Sequence, residues 1–590
     1  MPRKQRVGLS RLARYLRGKK ARVAVLSAVA VGGAAAPIVG LVIVQHAIDH
    51  GMRAKNESVL ARDVVLYLLV NAAAWILQTT LIRGLAQVGQ GIVLGLRRDL
   101  FEHLTSLSLR YFSQQRAGWI IARLTSDIDA LSDVLSQGLA TLVANTLMLV
   151  AAVAGLFVLD WRLGVVALVI LPPTFVLTRW FQVRSHAAFL KVRETIAAMT
   201  AQIAESVSGM AIIQAFNRER AFKAEFDKDN FANLESNRRA QLLNSWFFPG
   251  IEFLGQVAIA CVLYVGARLI DDGSLTIGTL VSSVFVLNFV FQPLQELSDL
   301  YGQLQSAGAA MEKITTVLDT EPEIQDRKDA RRAERIEGDL RIDRVTFAYG
   351  RDPVLHAIEI HVAPGGCLAL VGESGGGKST TAKLIGRFYD PDDGAVLVDG
   401  VDLRELELRS YRRQLGVVLQ DPFLFSGSIA DNVRFARPQA TDAEVEDVAR
   451  AVGVDRVARR FAEGLAHEVR EGGAGLSAGE RQLISIARAL LADPRILILD
   501  EATSNIDRPT EVLIERALDR LLRGRTSIII AHRLATVRRA DEILVVEHGR
   551  ITQRGRFEQL LRADGPFRRL AKDLRGAGER LPAELAAEPN

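Results

Sequence analysis

Cysteine is scarce in this chain: 590 residues hold only Cys261 and Cys367. One lies in an apolar helical run and the other in an apolar run that reads as a strand. That placement excludes a disulfide-stapled scaffold, and no cysteine–histidine spacing suits a structural zinc. A large charge excess is also missing. The formal net charge of +5 is modest for the length and calls for no nucleic-acid partner. No cleavable leader is expected either, because the first apolar run is longer than a signal h-region and lacks a convincing cleavage site; it reads as a retained membrane anchor. Residues 1–22 have no acidic side chain, yet Arg3, Lys4, Arg6, Arg11, Arg14, Arg17, Lys19, Lys20 and Arg22 interleave there with Leu9, Leu12, Tyr15 and Leu16. A solvated basic tail would look similar. The long apolar run downstream favours a basic amphipathic segment lying on the cytoplasmic face of a membrane.

What is present is apolar length. Hydrophobic residues make up 49% of the chain and charged ones 24%, which fits a membrane part joined to a soluble part. Six apolar segments stand at 23–46, 64–86, 134–158, 163–183, 246–270 and 274–298. Each is near the ~20 residues that span a bilayer as a helix. Pro37 and the pair Pro172-Pro173 interrupt two of them, which packed neighbours tolerate. Joins alternate between short and long, and the two long ones are basic. Arg97, Arg98, Arg110, Arg116 and Arg123 lie in one; Arg184, Lys191, Arg193, Arg218, Arg220 and Lys223 lie in the other. The positive-inside rule then puts both long joins and both termini in the cytoplasm of a multi-pass protein of the cell membrane. Apolar residues at helical spacing make each long join a helix pair, with tips near 113–118 and 206–214. The expected division is a basic segment 1–22, a transmembrane domain 23–318, a charged linker 319–337, an α/β domain 338–575 and a disordered tail 576–590.

Within the soluble part, Gly372-Glu373-Ser374-Gly375-Gly376-Gly377-Lys378-Ser379-Thr380 fits the phosphate-binding pattern G-x-x-x-x-G-K-[ST]. The run Cys367 to Val371 before it reads as a buried strand, and the residues after it as a helix. Glycines let backbone N–H groups turn toward an anion, and the helix N-terminus adds positive potential. Lys378 can reach β- and γ-phosphates, and Ser379 can ligate Mg²⁺. A second apolar strand, Ile496 to Leu499, ends at Asp500 and Glu501. Asp500 suits Mg²⁺ held through water, and Glu501 suits polarising an attacking water. A third strand, Ile528 to Ala531, is tipped by His532, at the sheet edge where ligands gather. Gln420 follows the strand ending at Leu419 and could join the metal or water shell. Tyr349 could stack on adenine or be an ordinary edge-strand aromatic. Ser477, Ala478, Gly479 and Glu480 open a helix and form a second potential phosphate cradle.

Taken together these motifs resemble the nucleotide-binding domain of an ATP-binding cassette (ABC) transporter. Six membrane segments ahead of it resemble an exporter-type half-transporter, and the resemblance covers roughly residues 8–575. It implies a multi-domain membrane protein, a six-helix all-α transmembrane domain followed by an α/β cassette, that hydrolyses ATP with Mg²⁺. By the same resemblance Tyr349 stacks on adenine and Gln420 contacts Mg²⁺. Asp500 holds the metal, Glu501 is catalytic, Asp507 lies in the D-loop and His532 is the switch histidine. The tips of the long joins resemble coupling helices. One element departs from the family pattern Leu-Ser-Gly-Gly-Gln: Ala478 and Glu480 replace a glycine and the glutamine. A carboxylate near a γ-phosphate is unfavourable. Since the signature of one subunit covers the partner's ATP, the expectation is a heterodimer with a second half-transporter, with a homodimer as the rival. The expected cargo is an amphipathic small molecule, drug or lipid moved by alternating access. Import of an iron chelate and ATP gating of a channel stay open at this point. Trp246, Phe247, Phe248, Phe253, Phe285, Phe289 and Phe291 could line its pocket, and Glu252, an ionisable group near a membrane segment, is the substrate-site candidate.

Overall fold

The structure, a computed structural model, describes residues 20–500, 508–531 and 533–573. Glu501, Asp507, His532, the tail 576–590 and nearly all of the basic segment 1–22 lie outside them. Contacts divide the chain into two compact units. One holds residues 1–105 and 117–320, the other 106–116 and 321–590.

The first unit is helical. Among the described residues, six helical stretches are long and apolar enough to cross a membrane: Ala24–Met52, Glu57–Ser106, Ala117–Leu159, Trp161–Ser208, Glu219–Asp271 and Ile277–Leu318. Asp160 separates the third from the fourth. Its carboxylate accepts from the N–H groups of Arg162 and Leu163, at 2.8 and 3.4 Å, a cap for donors the helix start would leave open. Thr276 caps the sixth by accepting from Thr279 N at 3.1 Å. Pro172, Pro173, Pro249 and Pro293 all lie inside helices. Packing is tight where side chains are small. Ala152, Ala258 and Val262 are fully buried beside Leu156, Leu163 and Val286. Phe181 and Phe247 stack face to face, centroids 3.9 Å apart, so Phe247 belongs to the core.

Both long joins are helical; at the first, the break at Gln115 falls within the expected tip 113–118, and a further break lies upstream of it. Its breaks fall at Ser108 and Gln115, both in extended backbone, on either side of a short helix Leu109–Gln114. That helix packs with the α/β domain, which is why 106–116 groups with the second unit. The second break is at Gly209, before the short helix Met210–Ala215.

The second unit contains a six-stranded sheet. Its spatial order is Arg550–Gly555, Glu542–Glu547, Cys367–Val371, Thr526–Ile530, Ile496–Asp500, Leu415–Val418. Its five strands from Glu542–Glu547 to Leu415–Val418 pair in parallel, and the first pairs antiparallel. Parallel strands need cover on both faces and therefore read as unbroken apolar runs. Ile528, Ile529, Ile530, Leu497, Ala369 and Leu370 are accordingly fully buried. Register aligns Ile530 with Asp500 and with Leu370, so the strand ends that carry the motifs finish at one edge. A smaller antiparallel sheet runs Pro353–Val362, Leu340–Ala348, Asp393–Val398, Val401–Asp402.

Candidate functional site

The glycine-rich loop leaves the buried strand Cys367–Val371 and enters the helix Lys378–Ile385. Gly372 has φ +145°, and a Cβ there would sit 2.1 Å from the carbonyl oxygen of Val546. Gly377 has φ +105°, with Leu355 2.5 Å from the same notional atom. Only glycine fits either position. Lys378 is 5% exposed, and its Nζ donates to the carbonyls of Gly372 and Glu373, both at 2.7 Å. Burial lowers its pKa, against the opposing pull of Asp500 and Glu373. A buried ammonium held by two carbonyls of a loop whose tip, Glu373 to Gly375, is exposed is a ready partner for phosphate oxygens.

Ser379 is exposed at the mouth of this loop. Its Oγ donates to Asp500 Oδ2 at 3.4 Å, across 121 residues of sequence. Thr380 accepts from the Tyr349 hydroxyl at 3.2 Å. The Tyr349 ring is half-buried, edge-on to Phe347 and Tyr389, with Lys383 Nζ 5.4 Å from its centroid. Gln420 is exposed two residues beyond the strand Leu415–Val418. The structure thus brings together Gly372 to Thr380, Asp500 and Tyr349. Glu501, Asp507 and His532 fall outside the described residues.

Ser477 and Glu480 form a closed capping box at the start of the helix Ala478–Ala492. Ser477 N donates to Glu480 Oε2 at 2.8 Å, and Glu480 N donates to Ser477 Oγ at 3.2 Å. The other carboxylate oxygen of Glu480 is paired with Arg460. Ser477 and Ala478 are exposed, Gly479 is buried and Glu480 is 6% exposed. The sequence reading placed a bare negative charge here. The charge is instead turned back into the helix start and neutralised, because a glutamate at the third helical position can satisfy the cap's own N–H. Arg460 carried no sequence signal, being twenty residues away in a charged turn.

Arg110 is the second residue that sequence reasoning passed over, having counted it for topology alone. It sits on the short helix Leu109–Gln114. Its Nε lies 3.1 Å from Glu323 Oε2, and its guanidinium carbon lies 5.6 Å from the Tyr389 centroid and 6.0 Å from that of Phe347. Tyr389 and Phe347 in turn pack on Tyr349. The first join is thereby tied to the aromatic cluster beneath the loop.

In the helical unit, Glu252 is exposed, as are Trp246, Phe253 and Phe285. Phe248 lines a cavity of about 600 Å³ together with Phe181, Gln182 and Arg193. Glu252 is not among that cavity's lining residues.

Comparison with known proteins meets these two halves separately. The family profile described as the ABC transporter transmembrane region matches residues 23–294, and that described as ABC transporter matches 355–504. The chain is 39% identical over 569 residues to the uncharacterized ABC transporter ATP-binding protein YknV of Bacillus subtilis, covering 95% of this chain and 94% of that protein. It is 34% identical to the ATP-dependent lipid A-core flippase of Syntrophus aciditrophicus, covering 86% and 84%. A solved bacterial Atm1-family ABC exporter with ATP bound superposes with a TM-score of 0.81 at 27% identity, covering 96% of this chain and 100% of that one. Six apolar helices fused to an α/β domain with an ordered phosphate loop, and relatives of the same two-part build, lead to one conclusion: this chain belongs to the ABC transporter family as a membrane-spanning exporter half-transporter, an ATPase coupled to transport.

Proposed function

We propose that the chain exports an amphipathic small molecule, drug or lipid by alternating access, as one half of a dimer. ATP bound at Gly372 to Thr380 and stacked on Tyr349 draws two cassettes together. A ligand drives such closure only by binding the closed state better than the open one. Glu501 polarises the attacking water, His532 senses the γ-phosphate, and Gln420 and Asp507 link the site to its surroundings. Mg²⁺ would be held by Ser379, Asp500 and Gln420. The 3.4 Å approach of the Ser379 and Asp500 oxygens suits a small hard cation that takes oxygen ligands. When bound, the ion supplies charge neutralisation on the phosphates. The basic long joins support cytoplasmic termini, and Glu252 stands as a substrate contact on the fifth span. The observation that carries this reading is the loop itself, with Lys378 bracketed by two carbonyls and Ser379 facing Asp500.

The departure at Ala478 and Glu480 supports a heterodimer. One specific observation favours the homodimer as a second reading: the Glu480 carboxylate is engaged by Ser477 and Arg460 rather than left bare. Purifying the chain without a partner and measuring ATP hydrolysis separates the two. Robust turnover abolished by Glu501→Gln identifies a competent homodimer; turnover only after adding a second half-transporter identifies the heterodimer. A chain that never hydrolyses ATP, with any partner, refutes the function.

A further inference from the structure

Two cavities lie side by side in the helical unit and share Gln182 and Ser298. The smaller, about 370 Å³, is lined chiefly by apolar groups, among them Leu149, Val153, Leu171 and Leu297. Phe175, on its wall, is 72% exposed. The cleft is therefore open at the surface of the helical unit, and within spans this apolar that opening lies at hydrocarbon depth.

The larger cavity, about 600 Å³, has a different chemistry. Gln182, Asn244 and Gln303 contribute amides, and Ser185 and Ser306 contribute hydroxyls. Among the described residues its charged liners are Asp133 and Arg193, of opposite sign. One guanidinium N–H of Arg193 donates to Ser306 Oγ at 2.9 Å. That bond holds the group in place and leaves its other donors for a ligand. Depth follows from the helix. From Trp161 to Gln182 it rises roughly 30 Å at ~1.5 Å per residue, about the thickness of a hydrocarbon core. The apolar cleft is thus at acyl-chain depth, and the larger cavity, where Phe181, Phe189 and Phe248 line the wall beside the polar groups, begins at headgroup depth. It lies toward the end where the sixth span passes through Leu318 and the chain continues into the α/β domain.

A lipophilic cation would need only the carboxylate, and a fatty acid only the guanidinium. A cavity lined by both charges and by amides, with an apolar cleft opening off it, suits a headgroup that itself carries both charges. We propose that the two cavities take a zwitterionic phospholipid from the leaflet at the Leu318 end of the sixth span, its phosphate at Arg193, its ammonium at Asp133 and one acyl chain in the cleft. This rests on the transport reading above and adds the substrate class.

The test uses the full chain in liposomes containing a fluorescent phosphatidylethanolamine, a fluorescent phosphatidylglycerol or a lipophilic dye cation. Transfer between leaflets and ATP hydrolysis are measured in parallel. Phosphatidylethanolamine should move with ATP about tenfold faster than phosphatidylglycerol, the effect of one charge-assisted hydrogen bond. Arg193→Gln should slow it about tenfold, and Asp133→Asn should shift preference toward phosphatidylglycerol. Val153→Trp should block the cleft and lower the lipid moved per ATP. Val158→Trp, on the exposed face of the same helix, serves as the control that keeps it. Equal or faster movement of phosphatidylglycerol or the cation, or full lipid movement by Val153→Trp, overturns the proposal. Steady hydrolysis with no lipid moved discards the lipid class alone; absence of hydrolysis even with a second half-transporter reconstituted beside the chain discards the transport reading with it.

Discussion

Replacing Glu480 by glutamine separates the two things its carboxylate does. Glutamine still completes the capping box, so the reciprocal bonds with Ser477 at 2.8 and 3.2 Å survive. The ion pair with Arg460 does not. The Arg460 side chain is 59% exposed and that of Glu480 8%, so solvent screens the pair and its worth is about 1 kcal/mol at most. In a domain of this size that loss lowers Tm by roughly 2–4 °C. Glu480→Ala removes the box as well and costs about a further 1 kcal/mol. Thermal unfolding of the purified chain reads the stability, and phosphate release reads hydrolysis. Since the wild-type carboxylate is already neutralised, Glu480→Gln should change hydrolysis less than about twofold, a difference well below the tenfold that 1.4 kcal/mol represents. A large gain in hydrolysis with unchanged stability would show that the carboxylate faces the partner's nucleotide, and the reasoning here would fail.

Two further outcomes are expected. Arg110→Ala removes a stack on Tyr389 and a pair with Glu323, together worth about 1–2 kcal/mol; solute moved per ATP should fall about tenfold while hydrolysis continues, with Arg110→Lys intermediate because it keeps charge without the flat stacking face. Unchanged transport per ATP in Arg110→Ala would remove the first join from the coupling path. Burial, aided by Asp541, pushes the Cys367 thiol up to about 12. Its folded value is raised, so the stability it contributes is complete below the ordinary thiol range near 9.0 and is lost as pH climbs toward 12. At pH 8 Cys367 should resist alkylation until the domain unfolds, and mass spectrometry showing prompt labelling of the folded chain would contradict this.

Some of this was legible in the sequence because the chemistry demands contiguous residues. A phosphate loop needs its glycines, Lys378 and Ser379 in fixed order after a strand, and membrane spans need unbroken apolar length. Asp500 was legible from its strand, although its meeting with Ser379 spans 121 residues. The first join was helical as read, and its break at Gln115 falls within the tip expected at 113–118; the upstream break at Ser108 carries neither glycine nor proline, so local chemistry gave no mark there. The direction of the Glu480 side chain depends on a three-residue box and on Arg460, a tertiary contact that spacing does not encode. Arg110 meets Glu323 and Tyr389 from far along the chain, and charge counting sees only its sign. The paired cavities arise from faces of several helices at once, which no single periodicity reveals.

The account depends on energy from nucleotide at the loop being converted into movement of solute through the helical unit. Lys378→Ala in reconstituted liposomes tests this most directly, with ATP hydrolysis and solute movement measured on the same preparation. Both should fall to background together while the protein remains folded. Solute movement that persists at the wild-type rate without hydrolysis would contradict the account.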